Sequence, residues 1–599
     1  MKQRVADYIA DFLINNGINQ IFTVVGGGAM HLNNAFGQHK QLKCVYNHHE
    51  QASAIAAEAY ARVSGRIAAV CVTTGPGGTN AMTGVLCGYL DNIPMLVISG
   101  QTRYNTTVES TGLKLRQFGE QEYTIVKSVE PMTKYAVTIK DPLDIRYHLE
   151  KALYLATSGR KGPCWLDIPL DVQGAVIETD ALCGFIPGPE VKLSRKTISM
   201  IINKLKSSKR PVILAGSAIR QSTVLNEFYE LVDKLNIPVI CPTSVADLLH
   251  TSHRLYFGNF GVFGGRTGNF IVQNADLIFS IGCRLSFKQT GFNFSEFAKG
   301  AKKIVVDVDG EELKKDTVKI DVPILADVSD VITQMTEELD QALPEKKEWV
   351  AYCNYLKNMF PIIMDKHSNS QKVNPYYFAG KLNNALDDNS VEVVGNSCAC
   401  VSILQAGISK IGQRLFGNVN CGTMGYDLPA AIGAAVAKNG SVICITGDGS
   451  IQMNIQELQT LVHNKLPVKI FIFNNSGYQA IVQTQTNFFN GHLSGCTPES
   501  GVSFPSFEKI AYAYGIPYYC IHNHEEAEKR IAETLNNQGY VICEIIQDTS
   551  QPIEPKVLSK RLPDGGMYSP PIDDLAPFLE QAVYKNCMYE LWEKNHEKL

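Results

Sequence analysis

Short apolar runs rich in β-branched residues alternate with amphipathic helical stretches along most of this 599-residue chain. The clearest unit begins with SVICIT at 441–446, a pattern typical of a buried strand. Residues 454–465 follow with apolar side chains at helical spacing, and a second strand pattern, VKIFIF, occupies 468–473. A strand, a helix and a strand of these lengths predict a βαβ unit with parallel strands and a right-handed crossover.

This alternation occurs in three stretches that are separated by polar passages. The first contains IFTVVGGG and MLVISG, the second PVILAG and KIVVDVDG, and the third VEVVGNS and YVICEII. A polar linker is expected at 188–197, and the tail from 551 is rich in Pro and Gly before a helical pattern at 575–594. We therefore predict an α/β protein with three doubly wound parallel-sheet domains and a C-terminal extension, bounded at 1–187, 188–345, 346–550 and 551–599.

Charge and hydropathy argue against two classes of partner. The formal net charge of −4 gives no indication of nucleic acid or an anionic membrane, and no apolar run reaches membrane-spanning length. The first residues have helical spacing and lack the apolar block of a signal peptide. The 16 cysteines are scattered; Cys398 and Cys400 form a CxC that can in principle hold metal, but small buried hydrophobes are the better interpretation. We expect a cytoplasmic enzyme.

Polar residues follow two of the predicted strands at the point where each strand ends. Asp448 lies in GDG after the first strand, and Asn475 lies in NNSG after the second. Because neighbouring parallel strands end at the same sheet edge, where open α/β sheets bind ligands, these residues predict a binding site. Two glycine turns at 26–36 and 73–84 fit neither a P-loop nor a dinucleotide fingerprint. Taken singly, all of these segments can be plain turns without a ligand.

Several segments taken together resemble thiamine-diphosphate enzymes of the acetohydroxyacid synthase group. The family signature is GDG followed by NN, here at 447–449 and 474–475, with further likeness at 48–65, 73–101 and 422–435. The resemblance covers nearly the whole chain and implies a pyrimidine-binding domain, a central domain and a diphosphate-binding domain, in that order. It also implies a homodimer or homotetramer whose active sites lie between the first domain of one subunit and the third domain of another.

The resemblance implies that the chain binds thiamine diphosphate and Mg²⁺. Mg²⁺ prefers octahedral oxygen coordination with few protein ligands, which leaves positions for phosphate oxygens and water. The matching metal ligands are Asp448, Asn475 and the carbonyl of Gly477. The residues that match cofactor contacts of the family are Glu50, Thr74, Gly75, Asn80, Gly395, Asn396, Ser397, Gly422, Met424, Gly449 and Ser450.

Glu50 is the first catalytic candidate. It matches the carboxylate that, in the family, hydrogen-bonds the pyrimidine ring of the cofactor and promotes its active tautomer. A carboxylate with that role needs a raised pKa, which burial against apolar surface provides. Taken alone, an acid in the first turn of a helix commonly does no more than complement the helix dipole.

Three further residues match positions near the substrate in related enzymes. Gln121 and Lys134 match residues near the acetohydroxyacid synthase active site, and Lys134 is a candidate for a substrate carboxylate or phosphate, although an isolated Lys is commonly a surface charge. His31 stands where acetohydroxyacid synthases usually carry an apolar residue, and it matches a His of carboligases of the benzaldehyde lyase type. It is therefore a candidate acid or base, with a structural role as the alternative.

The central domain resembles one that binds FAD without redox chemistry in acetohydroxyacid synthases. The matching points are the segment 259–269, Arg284 and Asp309, whereas Lys288 replaces a usual Arg. An acid after a strand can hold ribose hydroxyls, and Arg284 can pair with the pyrophosphate. We expect FAD here; ADP or no ligand, as in some relatives, are the alternatives.

The implied reaction decarboxylates a 2-oxo acid, with pyruvate as the expected substrate, and transfers the two-carbon unit to a second carbonyl. The alternatives are decarboxylation or C–C hydrolysis without ligation, and a catalytically silent regulatory paralogue. Intact Glu50, Asp448 and Asn475 argue against a silent copy.

The segment after the NN pair distinguishes this chain from branched-chain biosynthetic relatives. Where those enzymes carry a Trp in a QWQ context, this chain has QTQ at 483–485, with Thr484 in place of the ring. The exchange predicts a roomier and more polar pocket. We expect an acceptor larger or more hydroxylated than a second pyruvate, such as a sugar-derived ketone or aldehyde.

Overall fold

The computed structural model describes residues 1–189, 193–562 and 564–596. These residues contain three six-stranded parallel sheets flanked by helices, one in each predicted domain, which confirms the predicted fold class. The linker predicted at 188–197 includes 190–192, which lie outside the described residues. Within the described residues, no helix has the length and apolar character required to cross a membrane.

The first domain is a parallel sheet covered by helices on both faces. Its strands are β1 (Lys2–Arg4), β2 (Gln20–Thr23), β3 (Lys43–Tyr46), β4 (Ala68–Val72), β5 (Met95–Gln101), β6 (Tyr135–Thr138), β7 (Pro163–Pro169) and β8 (Val176–Glu178). Its helices are α1 (Val5–Asn15), α2 (Met30–Gln38), α3 (Glu50–Ser64), α4 (Pro76–Asp91), α5 (Val108–Thr111), α6 (Ile125–Val129), α7 (Ile145–Thr157) and α8 (Leu170–Gly174). The sheet order β3-β2-β4-β5-β7-β6 places the glycine turns after β2 and β4 side by side.

The central domain repeats this architecture. Its strands are β9 (Pro211–Ala215), β10 (Val239–Pro242), β11 (Tyr256–Phe260), β12 (Leu277–Ile281), β13 (Lys302–Asp307) and β14 (Val322–Leu325). Its helices are α9 (Arg195–Ser207), α10 (Ser217–Gln221), α11 (Leu225–Leu235), α12 (Arg266–Asn274), α13 (Phe287–Thr290) and α14 (Val328–Glu338). The order β11-β10-β9-β12-β13-β14 reverses direction between β9 and β12, which is where such sheets open a ligand crevice.

The third domain carries the remaining parallel sheet. Its strands are β15 (Val391–Val394), β16 (Arg414–Gly417), β17 (Val442–Gly447), β18 (Val468–Asn474), β19 (Tyr518–Ile521) and β20 (Val541–Ile546). The helices are α15 (Lys347–Met359), α16 (Pro375–Ala385), α17 (Ser397–Ala406), α18 (Asp427–Lys438), α19 (Asp448–Gln452), α20 (Glu457–His463), α21 (Gln479–Phe488), α22 (Phe507–Tyr514) and α23 (His524–Asn536). In the order β16-β15-β17-β18-β20-β19, the direction reverses between β15 and β17, the two strands that precede Gly395 and Asp448.

The βαβ unit predicted from the sequence is present, but its helix is shorter than predicted. β17 and β18 pair in parallel register over the whole length of β17. The helical pattern predicted at 454–465 forms α20 only from Glu457, and 453–456 form turns. The reason is local: the buried amide of Asn454 donates to the Gly425 carbonyl at 2.7 Å, which holds that segment outside the helix.

The C-terminal extension packs on the central domain. It comprises β21 (Lys560–Arg561), β22 (Met567–Tyr568), α24 (Gln581–Asn586) and α25 (Tyr589–His596), so the predicted helical pattern at 575–594 becomes two short helices. Asn269 Nδ2 donates to the Ile572 carbonyl at 2.6 Å, and Tyr352 of α15 donates to the Cys587 carbonyl at 2.6 Å. These buried hydrogen bonds fix the path of the tail across the segment at 259–269.

The first and third domains of one chain also pack together, through α3 and α18. A Cβ at Gly433 would lie 2.0 Å from the Ala56 carbonyl, so the two helix backbones are in contact. At the same interface, the Tyr426 hydroxyl donates to Glu58 at 2.7 Å, and the partly buried Arg62 bridges Glu58 and Asp91. The helix that begins at Glu50 is therefore held rigidly against the third domain.

Candidate functional site

The three predicted metal ligands lie together at the carboxyl edge of the third sheet. Asp448 is buried at the start of α19, directly after β17. Its Oδ2 accepts hydrogen bonds from the backbone N–H groups of Asn475 at 3.0 Å and Gly477 at 3.3 Å, and its Oδ1 accepts from Gly449 at 2.8 Å. The carboxylate therefore fastens the loop that follows β18 to the loop that follows β17.

The same loop leaves an acceptor unused. Asn475 Nδ2 donates to Gln547 Oε1 at 3.1 Å, but Asn475 Oδ1 is buried and has no hydrogen-bond partner among the described residues. Burial raises the pKa of Asp448 to about 6. A buried carboxylate beside an unpaired amide oxygen suits a hard cation, which would satisfy the amide oxygen and favour the ionised acid.

The described residues contain no cluster of three or more His, Cys, Asp or Glu side chains suited to a metal ion. An ion held by one carboxylate, one amide oxygen, one carbonyl and external phosphate oxygens is the type that Mg²⁺ accepts. Cys398 and Cys400 are both buried, and burial raises the pKa of each thiol to about 12. They behave as small hydrophobes.

The predicted diphosphate-binding turns meet at the same edge. Asn396 Nδ2 donates to the Gly422 carbonyl at 3.3 Å, and Ser397 adopts a positive φ of 62°. Ser450 donates to the buried Asp427 at 2.6 Å and accepts from the Gly425 N–H at 2.9 Å. The turns after β15 and β17 are thus joined to the segment 422–425, which contains the half-buried Met424. Gly395 and Gly449 lie where a Cβ would be 2.4 Å from Asp427 and Tyr478, respectively.

Glu50 is the first residue of α3 and is 9% exposed. Its Oε2 accepts a hydrogen bond of 3.0 Å from Nδ2 of Asn80, a predicted cofactor residue on α4. A Cβ at Gly77 would lie 3.7 Å from Oε1, so the carboxylate faces a glycine surface. His49 caps α3 by accepting from the Gln51 N–H, which fixes the helix start. The acid that sequence reasoning selected is therefore buried and held in one orientation by Asn80.

Gln121 is held close to Thr74 and Gly75 by a polar network that the sequence did not reveal. Thr74 donates to Gln101 Oε1 at 2.5 Å, and Gln101 Nε2 donates to the Tyr123 carbonyl at 2.9 Å. Gln101 also contacts Asp167, a fully buried acid whose pKa burial raises to about 6. The network ties the loop that contains Gln121 to the carboxyl edge of the first sheet.

Gly75→Ala should disrupt this edge of the first domain. Gly75 has φ 61° and ψ −109°, and a Cβ there would lie 2.1 Å from the Gln121 carbonyl oxygen. Backbone strain and overpacking together should cost about 2–5 kcal/mol of unfolding free energy. The measurement is urea unfolding combined with the affinity for thiamine diphosphate.

Gly65→Ala is the matched control for that variant. Gly65 has a similar φ of 68°, but nothing lies within 4 Å of a Cβ built there. It should cost only the strain of a left-handed residue, about 1–2 kcal/mol, and leave cofactor affinity unchanged. Equal losses in the two variants would contradict a role for the contact between Gly75 and the loop of Gln121.

The other two substrate candidates are not brought to Glu50 by any contact among the described residues. The His31 ring packs against Gly174, where a Cβ would lie 3.0 Å from Nε2. Burial lowers the pKa of His31, and the positive charge of the nearby Arg4 lowers it further. Lys134 donates to the carbonyls of Leu155 and Ser158 at the end of α7, and burial lowers its pKa. The ammonium of Lys134 therefore caps a helix in this structure, and a substrate contact at Lys134 stays a prediction.

A crevice opens at the direction reversal of the central sheet, between all three domains. It is lined by Arg284 and Asp307 of the central domain, Arg160 and Lys161 of the first, and residues including Ser217, Gly282, Asp327 and Asn420. Asp309 does not face it freely, because its carboxylate pairs with Arg160 at 2.8 Å. Lys288 is also engaged, since its ammonium donates to the Val419 carbonyl. The crevice has the position and the cations that a nucleotide diphosphate requires.

Several residues that organise the site were missed by sequence reasoning. Glu457 accepts from Asn47 Nδ2 at 2.9 Å and from the His48 N–H at 3.0 Å, which joins the segment before Glu50 to α20. Gln101 and Gln547 act similarly within their own domains. Each contact spans a long sequence separation and involves common residue types, so no local pattern indicates it.

Comparison with known proteins gives one consistent result. Residues 3–122, 198–335 and 395–545 match the family models of the N-terminal TPP binding domain, the central domain and the C-terminal TPP binding domain of thiamine pyrophosphate enzymes. Acetolactate synthase isozyme 3 large subunit of Escherichia coli (strain K12) is 30% identical over 92% of this chain and 96% of its own length. The probable acetolactate synthase large subunit of Methanococcus aeolicus is 31% identical over 88% of this chain and 90% of its own length. The acetolactate synthase large subunit of Lactococcus lactis subsp. lactis (strain IL1403) is 29% identical over 90% of this chain and 92% of its own length.

Proposed function

The chain belongs to the thiamine pyrophosphate enzyme family, with acetolactate synthase large subunits as relatives, and we propose that it decarboxylates pyruvate and transfers the two-carbon unit to a second carbonyl compound. The observation that carries the proposal is the buried Asp448 beside the unpaired Oδ1 of Asn475, a pair of oxygen groups that suits a hard cation. Incubation with pyruvate and a panel of acceptors, followed by mass detection of products, tests it. Release of CO₂ without a ligated product would favour a simple decarboxylase.

Different residues of the chain would hold the Mg²⁺ ion, the diphosphate and the pyrimidine ring of the cofactor. Asp448, Asn475 and the Gly477 carbonyl would hold Mg²⁺, and the turns at Gly395–Ser397 and Gly449–Ser450 would receive the diphosphate. When bound, thiamine diphosphate supplies the carbon nucleophile and the electron sink for loss of CO₂. Glu50 would hold a proton at the pyrimidine ring, a role that its buried position supports. His31 stays a candidate acid or base toward the substrate.

We further propose that the active site is completed by a second copy of the chain, in a homodimer or homotetramer. Among the described residues, no hydrogen bond or ion pair joins Glu50 to Asp448, Asn475 or Gly477. Several large apolar side chains that are near the predicted site residues in the sequence are exposed to solvent. These are Val25, Met30 and Tyr46 on the first domain and Met453, Ile481 and Phe489 on the third. Such surface is typical of a subunit interface.

The crevice of the central domain is proposed to bind FAD in a non-redox role. Lys161 and Arg284 supply positive charge beside the reversal point of the sheet, where Arg160 is paired with Asp309 and Glu312. The pairing of Asp309 with Arg160 must open if that acid is to hold a ribose. A flavin absorbance in the purified protein tests the proposal, and a colourless protein that binds ADP would favour the smaller nucleotide.

The 16 free cysteines support a reducing, cytoplasmic location.

The acceptor is proposed to be larger or more hydroxylated than a second pyruvate. Thr484 lies exposed on α21, at the position where the resemblance to branched-chain biosynthetic enzymes implies a Trp, and its hydroxyl donates to the Ala480 carbonyl at 2.9 Å. The hydroxyl is therefore already bonded, and the space left by the missing ring is the feature that supports the proposal. A sugar-derived ketone or aldehyde is the expected class.

In competition assays the protein should not favour 2-oxobutanoate strongly over pyruvate as acceptor, and Thr484→Trp should create that preference. A pocket wall that contacts one extra methylene contributes about 1–3 kcal/mol, or roughly 10–200-fold in selectivity. Product ratios from equimolar pyruvate, 2-oxobutanoate and a polyhydroxylated aldehyde provide the measurement, with Thr484→Val as the control of similar size. Strong 2-oxobutanoate preference in the unmodified protein would contradict the proposed acceptor and favour a role in branched-chain biosynthesis.

A further inference from the structure

A buried acid of the third domain lies between the two predicted diphosphate turns. Asp427 is the first residue of α18, and its side chain is fully buried. Its Oδ2 accepts a hydrogen bond of 2.6 Å from the hydroxyl of Ser450, in the turn after β17. A Cβ built on Gly395, in the turn after β15, would lie 2.4 Å from the same oxygen. One carboxylate oxygen therefore lies against both turns, where the order of the sheet reverses.

The hydroxyl of Ser450 extends this contact to the segment that contains Met424. While Ser450 donates its hydroxyl hydrogen to Asp427, its Oγ accepts from the Gly425 N–H at 2.9 Å. The buried amide of Asn454 donates to the carbonyl of the same glycine at 2.7 Å. Asp427 therefore holds, directly or through one hydroxyl, the three segments of the third domain that are predicted to contact the cofactor.

The same hydrogen bonds exclude one role for the side chain of Ser450. A serine hydroxyl has a single hydrogen to donate, and here Asp427 accepts it. A diphosphate oxygen also needs a donor, so the hydroxyl cannot serve it while the bond to Asp427 is present. Any contact of this turn with the diphosphate would then come from its backbone N–H groups, whose position the bond to Asp427 fixes.

Asp427 has no cation to offset its burial. Its hydrogen-bond partners are the Ser450 hydroxyl and, at 2.9 Å from Oδ1, the N–H of Leu428, and no Lys, Arg or His among the described residues forms an ion pair with it. Desolvation raises its pKa. An acid in the first turn of a helix complements the helix dipole, but an exposed acid would do so without the cost of burial. A role in organising the two turns accounts for the buried position.

We infer that Asp427 is a positioning residue for thiamine diphosphate, which sets the spacing of the turns at Gly395 and Ser450 and of the Met424 segment without touching the cofactor itself. The inference deepens the proposed function and rests on it for the identity of the cofactor. It predicts that Asp427 and Ser450 act as one unit, because the hydroxyl serves as the link between the carboxylate and the Gly425 backbone.

A double-mutant cycle on cofactor affinity tests this prediction. Titration calorimetry with thiamine diphosphate at saturating Mg²⁺ would compare Asp427→Ala, Ser450→Ala and the double variant with the unmodified protein. Each single variant should weaken binding by at least about tenfold, the effect of losing a hydrogen bond to a charged group. The double variant should bind within about twofold of Asp427→Ala, because both substitutions remove the same link.

A direct contact between the Ser450 hydroxyl and the diphosphate gives a different result. The two losses would then be independent and would multiply to at least about a hundredfold in the double variant, which would overturn the inference. If Asp427→Ala does not fold, Asp427→Ser takes its place in the same cycle. Its side chain is polar but too short to bring an oxygen to 2.6 Å from the Ser450 hydroxyl.

Asp573→Ala is the matched control. Asp573 is also buried, accepts a hydroxyl hydrogen bond from Tyr584 at 2.8 Å and forms no ion pair within the described part of the chain, but it lies in the C-terminal extension. This variant should lower the thermal midpoint about as much as Asp427→Ala does and leave the affinity for thiamine diphosphate unchanged. An equal loss of affinity in the two variants would show that lower stability alone weakens binding, and would overturn the positioning role.

The unmodified protein separates this inference from the proposed function. If it did not bind thiamine diphosphate, the cofactor assignment would be refuted and the inference with it. Tight binding that Asp427→Ala leaves unchanged would refute only the positioning role. Release of CO₂ from pyruvate by the unmodified protein would still decide whether the proposed reaction takes place.

Discussion

Replacing Asp448 with Ala should give a folded protein that no longer retains thiamine diphosphate. The substitution removes the carboxylate of the metal site and leaves the N–H groups of Gly449, Asn475 and Gly477 without their acceptor. Loss of one partner from a buried ionic site costs about 3–5 kcal/mol, which corresponds to at least about a hundredfold in affinity. Titration calorimetry with thiamine diphosphate at saturating Mg²⁺ measures the effect.

Asp448→Asn refines the interpretation. The amide can keep an acceptor oxygen toward the backbone of Asn475, but it brings no negative charge to the cation. If the charge is what binds Mg²⁺, this variant should fold like the parent and bind the cofactor about as poorly as Asp448→Ala. Undiminished binding in both variants would show that Asp448 only fastens the two loops.

The parallel-sheet parts of the fold were predictable because their determinants are local. β17 and β18 span 442–447 and 468–474, against predicted bounds of 441–446 and 468–473. An unbroken apolar, β-branched run bounded by glycine or asparagine predicts a buried parallel strand directly. The carboxyl ends of neighbouring parallel strands must meet, so the proximity of Asp448 and Asn475 followed from the pattern.

The side-chain partners were not predictable, because they depend on tertiary contacts. The sequence cannot show that Lys134 donates to the carbonyls that end α7, since any helix end offers such acceptors. Asn454 was predicted to lie in a helix, but its side chain donates to the Gly425 carbonyl, 29 residues earlier in the chain, and holds the segment outside α20. Gln547 belongs to no motif, and only the fold brings its side-chain oxygen within hydrogen-bond distance of Asn475.

Mixing two inactive variants would test whether the site is shared between subunits. Glu50 and Asp448 lie in different domains, so a mixed dimer of Glu50→Gln and Asp448→Ala chains would contain one site with both residues intact if the site spans subunits. Regained activity after the chains are exchanged supports the shared site. If each chain formed a complete site alone, the mixture would stay inactive.

Glu50→Gln should slow exchange of the thiazolium proton of bound thiamine diphosphate by at least about a hundredfold, while binding stays near normal. The amide preserves the shape of the side chain and an acceptor for Asn80 Nδ2. Unlike a carboxyl group, however, it cannot release or take up a proton. Hydrogen–deuterium exchange followed by acid quench and NMR measures the rate directly.

Asn80→Ala is the companion variant, because it removes the 3.0 Å hydrogen bond that orients Glu50 without touching the carboxylate itself. We expect it to slow exchange less than Glu50→Gln does, since the acid remains present but is less well held. If Glu50→Gln exchanged as fast as the parent protein, the buried acid at the start of α3 would be a structural residue. The sequence alone cannot separate these two roles, because an acid in the first turn of a helix stabilises that helix whether or not it also meets a ligand.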